Sequence, residues 1–155
     1  DNNGGLYTTV DGVFTVNFAL QVLGTDLQAF FGMGEITVAG AGITFTSEHI
    51  GFKIVRAASG TTSLYATQAD GVTETASAAL TTLVGSDTLD LRCRVTSATN
   101  IEYWWRKNGS AWSAATALTA NIPTTATVTQ ISRCASNAGV ATASTFRIRG
   151  CAYRR

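Results

Sequence analysis

The chain has 155 residues, which fits one domain with a core that buries about two-thirds of the unfolded surface. Only 14% of the residues are charged, well under the roughly 25% of an average soluble domain, and Thr, Ala, Ser and Gly make up the difference. A net charge of +1 without a nucleic-acid motif excludes nucleic acid as a partner, and the lack of any run of about 18 apolar residues excludes a membrane-spanning helix. Small, uncharged surfaces of this kind end up against another subunit, because burying them desolvates few charges. A homo-oligomer, or a component of a larger assembly, is the expectation.

In chain order, residues 1–5 read as a linker or terminal arm, followed by a short strand at Leu6–Val10. Val13–Val22 is the cleanest run of period 2: Phe14, Val16, Phe18, Leu20 and Val22 point one way, Thr15, Asn17, Ala19 and Gln21 the other. Leu27–Gly34 is nearly continuous in apolar residues, as a strand covered on both faces would be. Val38–Gly42 reads as a flexible loop. Ile43–Phe45 and Ile50–Val55 read as strands around Thr46–His49, with His49 as a polar loop residue. Ser63–Gln68 alternates, Asp70-Gly71 is a turn, and Thr73–Thr82 is weakly patterned.

Leu89, Leu91, Cys93 and Val95 alternate with Asp90, Arg92 and Arg94; after a polar turn, Ile101, Tyr103 and Trp105 alternate with Glu102, Trp104 and Arg106. Asn108-Gly109 tolerates the positive φ of a tight turn, and a return strand is expected over Ala111–Leu118, before Pro123. Val128–Arg133 is a further strand and Ser136–Ala143 a small-residue loop. In the last strand Phe146, Ile148 and Gly150 alternate with Arg147 and Arg149, before Tyr153-Arg154-Arg155. Ten to twelve strands, no convincing helix and no internal repeat predict an all-β, antiparallel two-sheet β-sandwich in one domain, residues 1–155.

The order of these segments resembles a concanavalin A-like jelly roll. Tyr103-Trp104-Trp105 with Asn108-Gly109, and Thr119-Ala120-Asn121-Ile122-Pro123, are similar to its "FYVDG" and "T-x-NIP" segments. Phe30-Phe31-Gly32-Met33-Gly34 is similar to its "FGLG" strand, and Ala69–Thr75 to its "DG-x-T-x-T" hairpin. The versions it looks most like occur in tailed-bacteriophage structural proteins. The resemblance implies a virion location (capsid surface or tail) after synthesis in the host cytoplasm. It implies a capsid decoration or cement protein whose partner is the major capsid protein or another virion protein, or else a tail-fibre or adhesin domain that binds host glycan.

Chemistry is sparse. Glucanases of this fold carry E-x-D-x-x-E on one strand, and no such triplet occurs here. His49 is the only histidine, and no G-x-S-x-G elbow is present. No enzymatic activity, cofactor or metal is expected. Cys93 reads as a small core residue, while Cys134 and Cys151 could pair. Trp104 faces away from Tyr103 and Trp105, and Trp112 lies just past the turn. Trp104, Trp112 and Glu102 are therefore the candidate contacts for a glycan or a protein partner. Residues 1–90 sum to −7 and residues 91–155 to +8. The candidate partner contacts on the basic half are Arg92, Arg94, Arg147, Arg149, Arg154 and Arg155, because a guanidinium fork bonds carboxylates in pairs.

Overall fold

The computed structural model describes residues 13–22, 26–34, 36–39, 42–56, 60–123, 131–137 and 145–154, with backbone alone at Val22, Thr37, Ala39, Ile131–Asn137 and Arg154. In chain order the strands are β1 (Val13–Val22), β2 (Leu27–Gly34), β3 (Thr37–Ala39), β4 (Gly42–Thr44), β5 (His49–Val55), β6 (Thr62–Ala69) and β7 (Glu74–Ala76). They continue as β8 (Thr81–Leu83), β9 (Thr88–Ser97), β10 (Asn100–Lys107), β11 (Thr116–Leu118), β12 (Ile131–Asn137) and β13 (Thr145–Arg154). No helix occurs among the described residues.

Two antiparallel sheets carry the fold. One runs β11-β10-β9-β1-β13, the other β12-β2-β5-β6-β7 with β8 also on β6. The cleanest alternating segments, β1 and β9, lie side by side inside the first sheet, with Phe14 opposite Cys93, Val16 opposite Leu91 and Phe18 opposite Leu89. All six are buried. Period-2 strands put one set of side chains on one face, so the other sheet has only to supply its own apolar face to close a core. It does so with Leu27, Ala29, Phe31 and Met33 of β2, Ile50, Phe52 and Ile54 of β5, and Leu64 and Ala66 of β6. Across the interface Phe18 stacks on Phe31 at 4.2 Å, and Phe52 meets Tyr103 edge-on at 5.4 Å. Burial pushes the Cys93 thiol up to about 12, which makes it an inert core residue.

The second sheet is covered on its outer face too, as the continuous apolar run of β2 predicts. Val38–Gly42 is not a loop: β3 and β4 form a hairpin, tied to β2 by the Ile43 amide donating to Gln28 Oε1 at 2.7 Å. Phe45 follows it and packs on Phe30 and His49. Gly32 and Gly51 face each other across β2 and β5. A Cβ at Gly51 would stand 2.5 Å from the Phe31 carbonyl oxygen, and one at Gly32 2.5 Å from the Phe30 ring. These two positions lack side chains because the Phe30 ring lies over them.

His49 is likewise not a loop residue. It begins β5 and is fully buried, with Nδ1 2.8 Å from the Ser47 carbonyl and Nε2 2.9 Å from Thr67 Oγ1. The weakly patterned 73–82 segment, which could be strand or loop, holds β7 and β8. One further expectation changes: the return strand shortens to β11, because residues 110–115 meet β10 through side-chain bonds and isolated backbone bonds rather than a continuous ladder. The expected strand at Leu6–Val10 lies outside the described residues. So do residues 128–130 and 138–144, and the Cys134 side chain with any pairing to Cys151.

Candidate functional site

The outer face of the five-stranded sheet gathers the polar half of three alternating strands. Pairing of β10 with β9, and of β9 with β1, sets these residues in transverse rows. One row holds Glu102, Arg94 and Val13. The next holds Trp104, Arg92 and Thr15, and the third Arg106, Asp90 and Asn17. The inward neighbours Tyr103, Leu91, Cys93, Phe14 and Val16 are buried, which fixes these side chains outward.

The third row is closed by hydrogen bonds. Asp90 Oδ2 accepts from Arg106 Nε at 2.6 Å, and its Oδ1 accepts from Asn17 Nδ2. The Arg106 guanidinium also lies 4.9 Å from the centroid of Trp112. The second row has the same cation-on-indole arrangement, with Arg92 5.2 Å from Trp104, but Arg92 Nε is buried without a hydrogen-bond partner.

Trp112 is brought over the sheet by the loop after β10. Asn108 and Gly109 take φ of 53° and 72°, the left-handed pair that reverses a strand tightly. Asn108 locks that turn: its Oδ1 accepts from Thr88 N and its Nδ2 donates to Asp87 Oδ1, both at 2.8 Å. Ser113 N then donates to Trp105 O at 2.8 Å, while Trp105 N donates to Ser113 Oγ at 3.1 Å. Held this way, Trp112 is 42% exposed and walls two hollows. One, of about 440 Å³, is lined with Val13, Thr15 and Arg92. The other, of about 270 Å³, runs past Thr15, Asn17 and Asp90 to Gly150 and Ala152 of β13.

Of the residues singled out from the sequence, Trp104, Trp112, Glu102, Arg92 and Arg94 share this face. Arg147 and Arg149 are exposed on β13, at the margin of the same sheet. Arg149 is the extra residue of a bulge: Asn17 pairs with Gly150, and Phe18 already with Ile148. Past the bulge the alternation shifts. Cys151 and Tyr153 pack against the core and Gly150 is exposed, so Gly150 is not the inward residue that the sequence pattern implies. The Arg154 side chain and Arg155 lie outside the described residues. The acidic-to-basic asymmetry of the sequence becomes spatial here: Arg92, Arg94, Arg106, Arg147 and Arg149 stand on this sheet against Asp90 and Glu102.

Thr15, Asn17, Asp90 and Arg106 complete the face and were not among the residues chosen from the sequence. Alternation turned them outward, but only the β1–β9 pairing, between strands far apart in the sequence, places Thr15 and Asn17 beside Arg92 and Asp90. Around the two hollows stand one indole ring, Trp112, and hydroxyl, amide, carboxylate and guanidinium groups. Such groups bind a ring that has both an apolar face and an equatorial fringe of hydroxyls.

No protein-family model matches the chain, and no curated protein matches it. Among solved structures it resembles a xylan β-1,4-xylosidase from Bacillus halodurans, with a TM-score of 0.63 at 10% identity over 95% of this chain. The chain spans 28% of the length of that enzyme. The likeness is one of fold, a β-sandwich, and it makes no link to bacteriophage proteins.

This match corrects the expectation that the chain stands outside the enzymes, because the fold is found within one. The exclusion leaned on a carboxylate motif confined to one strand. On this face Asp90 and Glu102 stand two rows apart, opposite Arg106 and Arg94 respectively.

Proposed function

We propose that the chain is a carbohydrate-binding β-sandwich module and that the outer face of the five-stranded sheet is its glycan site. The observation that carries this reading is Trp112, which walls two hollows furnished with Arg92, Asp90, Asn17 and Thr15, while Trp104 lies on the same outward face against Arg92. Indole faces stack on the apolar face of a pyranose, and the polar groups bond its hydroxyls. Trp112 lies against Arg106 on a locked loop and is 42% exposed, which leaves ring surface open to a ligand. The fold likeness to part of a xylosidase is compatible with this reading.

The test is a glycan array probed with the chain and with Trp112→Ala. The reading expects discrete glycan signals for the native chain that the variant loses while its melting temperature stays unchanged. An empty array would reject it. A tail-fibre or adhesin setting on a virion, which the sequence resemblance implies, would use this same face. A seat on a capsid shell is the second reading, favoured by Arg147 and Arg149, both exposed on the margin strand β13. Replacing both with Ser should then weaken attachment to undecorated shells and flatten its salt dependence.

A further inference from the structure

Asp90 lines the smaller hollow beside Trp112, and its side chain is 22% exposed, so a ligand in the hollow reaches its carboxylate. Asp87, on the turn before β9, makes the contrast. Its side chain is 6% exposed, and its oxygens accept from Asn108 Nδ2 and the Val84 amide, so that carboxylate serves the turn alone. The Asp90 carboxylate is held by one donor on each oxygen, Arg106 Nε on Oδ2 at 2.6 Å and Asn17 Nδ2 on Oδ1. Two such bonds fix the plane of the group. A carboxylate offers about four acceptor sites, so about two remain. Its neighbours in the hollow are acceptors as well. Asn17 gives an amide hydrogen to Asp90, and its own Oδ1 accepts none from the described residues. Thr15 directs its hydroxyl hydrogen to the Ala152 carbonyl at 3.5 Å, which leaves the hydroxyl oxygen as an acceptor. The side chains of the smaller hollow therefore call for a ligand that brings hydrogens.

From this arrangement we infer that the glycan of this face is neutral and presents two free hydroxyls on adjacent ring carbons, and that Asp90 is the residue that reads them. The inference rests on the glycan reading above and names the ligand class for it. Two neighbouring hydroxyls direct their hydrogens at one carboxylate, one to each oxygen. Hydrogen bonds to an ionised acceptor are roughly twice as strong as those between neutral groups. Asn17 Oδ1 and Thr15 Oγ1 accept from a further hydroxyl of the same ligand. The ring that carries the pair lies against Trp112, which walls the same hollow. An acidic sugar fits less well, because an ionised carboxylate brings no hydrogen to a hollow lined with acceptors.

The experiment titrates cellohexaose, its 6-O-methyl form and its 2,3-di-O-methyl form into the native chain and into Asp90→Asn, by calorimetry. Cellohexaose carries a free 2,3 pair on its rings. Methylation at O6 adds bulk and keeps the pair, whereas methylation at O2 and O3 removes both hydrogens. The expected result is native binding at least about tenfold weaker to the 2,3-dimethyl form than to the other two. In Asp90→Asn that difference shrinks to under about threefold, because cellohexaose loses affinity and the 2,3-dimethyl form does not. Equal native affinity for all three would overturn the inference and leave the glycan reading standing. So would an equal weakening by the 6-O-methyl group, which would make bulk the cause. An equal loss for every form in Asp90→Asn would also overturn it, and would show that Asp90 only positions Arg106 and Trp112. If none of the three binds, the strongest array ligand is compared before and after O-methylation of one adjacent pair, and unchanged affinity overturns the inference. If the array is empty as well, both readings fall. Should Asp90→Asn not fold, the comparison on the native chain decides alone.

Discussion

Tyr103 on β10 donates its hydroxyl hydrogen to Gln68 Oε1 on β6 at 2.9 Å, a hydrogen bond between the two sheets at a point where both side chains are fully buried. Gln68 Nε2 in turn donates to Ala120 O at 2.6 Å and holds the segment that leads to Asn121-Ile122-Pro123. Burial pushes the Tyr103 hydroxyl well above its ordinary range, so it stays a donor at every working pH. Tyr103→Phe keeps the ring against Phe52 and leaves Gln68 Oε1 without this donor. The expected loss is about 1–3 kcal/mol of unfolding free energy. Urea denaturation checks it, and a loss under about 0.5 kcal/mol would show that the bond contributes little.

Phe18 joins the sheets by packing alone. It is fully buried, stacked on Phe31 and edge-on to Phe146 at 6.2 Å. Phe18→Ala should cost roughly 3–5 kcal/mol, the range for large-to-small changes in a closed core. Chemical denaturation gives the value directly.

Gly32 makes a prediction of opposite geometry. A methyl group there overlaps the Phe30 ring and the Ile50 carbonyl, and the carbonyl, being backbone in the paired strand, cannot turn aside. Gly32→Ala should destabilise by roughly 1–3 kcal/mol, although alanine suits an extended backbone better than glycine does. A neutral or stabilising effect on the thermal midpoint would mean that β2 and β5 can separate at this point.

His49 carries a pH dependence. Burial, the largest cause, lowers its pKa from 6.5 to about 4, with the Lys53 charge adding to the fall and the Ser47 carbonyl and Glu74 opposing it. Between these values the unfolded chain binds a proton that the folded chain does not. Stability therefore falls as pH drops from 6.5 and levels off below about 4. The full effect is on the order of 3 kcal/mol. Denaturation of the native chain and of His49→Gln at pH 7 and pH 4.5 should show the two curves converging on acidification, and parallel curves would contradict the assignment.

Much of the sandwich was legible because β1, β9 and β10 alternate cleanly, and alternation reports a half-buried face whatever the partner strand is. The burial of Phe14, Phe18, Leu89, Leu91 and Tyr103 follows from that. His49, the β3–β4 hairpin and the bulge at Arg149 were not legible. A polar residue looks the same in a loop as when it is buried between a carbonyl and a threonine hydroxyl. A three-residue strand carries too few side chains for a period, and a bulge shifts the alternation without any change in composition. On the candidate site, the tryptophans and arginines could be named from the sequence. Their assembly into rows depends on the pairing of β1 with β9, which no local pattern encodes.

The central claim is that the Trp104–Trp112 face binds glycan. Calorimetric titration of the best array ligand into the native chain and into Trp112→Ala tests it most directly, with both proteins first shown to melt at the same temperature. The account predicts that Trp112→Ala loses about 2 kcal/mol of binding free energy, roughly 30-fold in affinity, as expected for removal of an aromatic anchor. Undiminished affinity in a folded Trp112→Ala would contradict it.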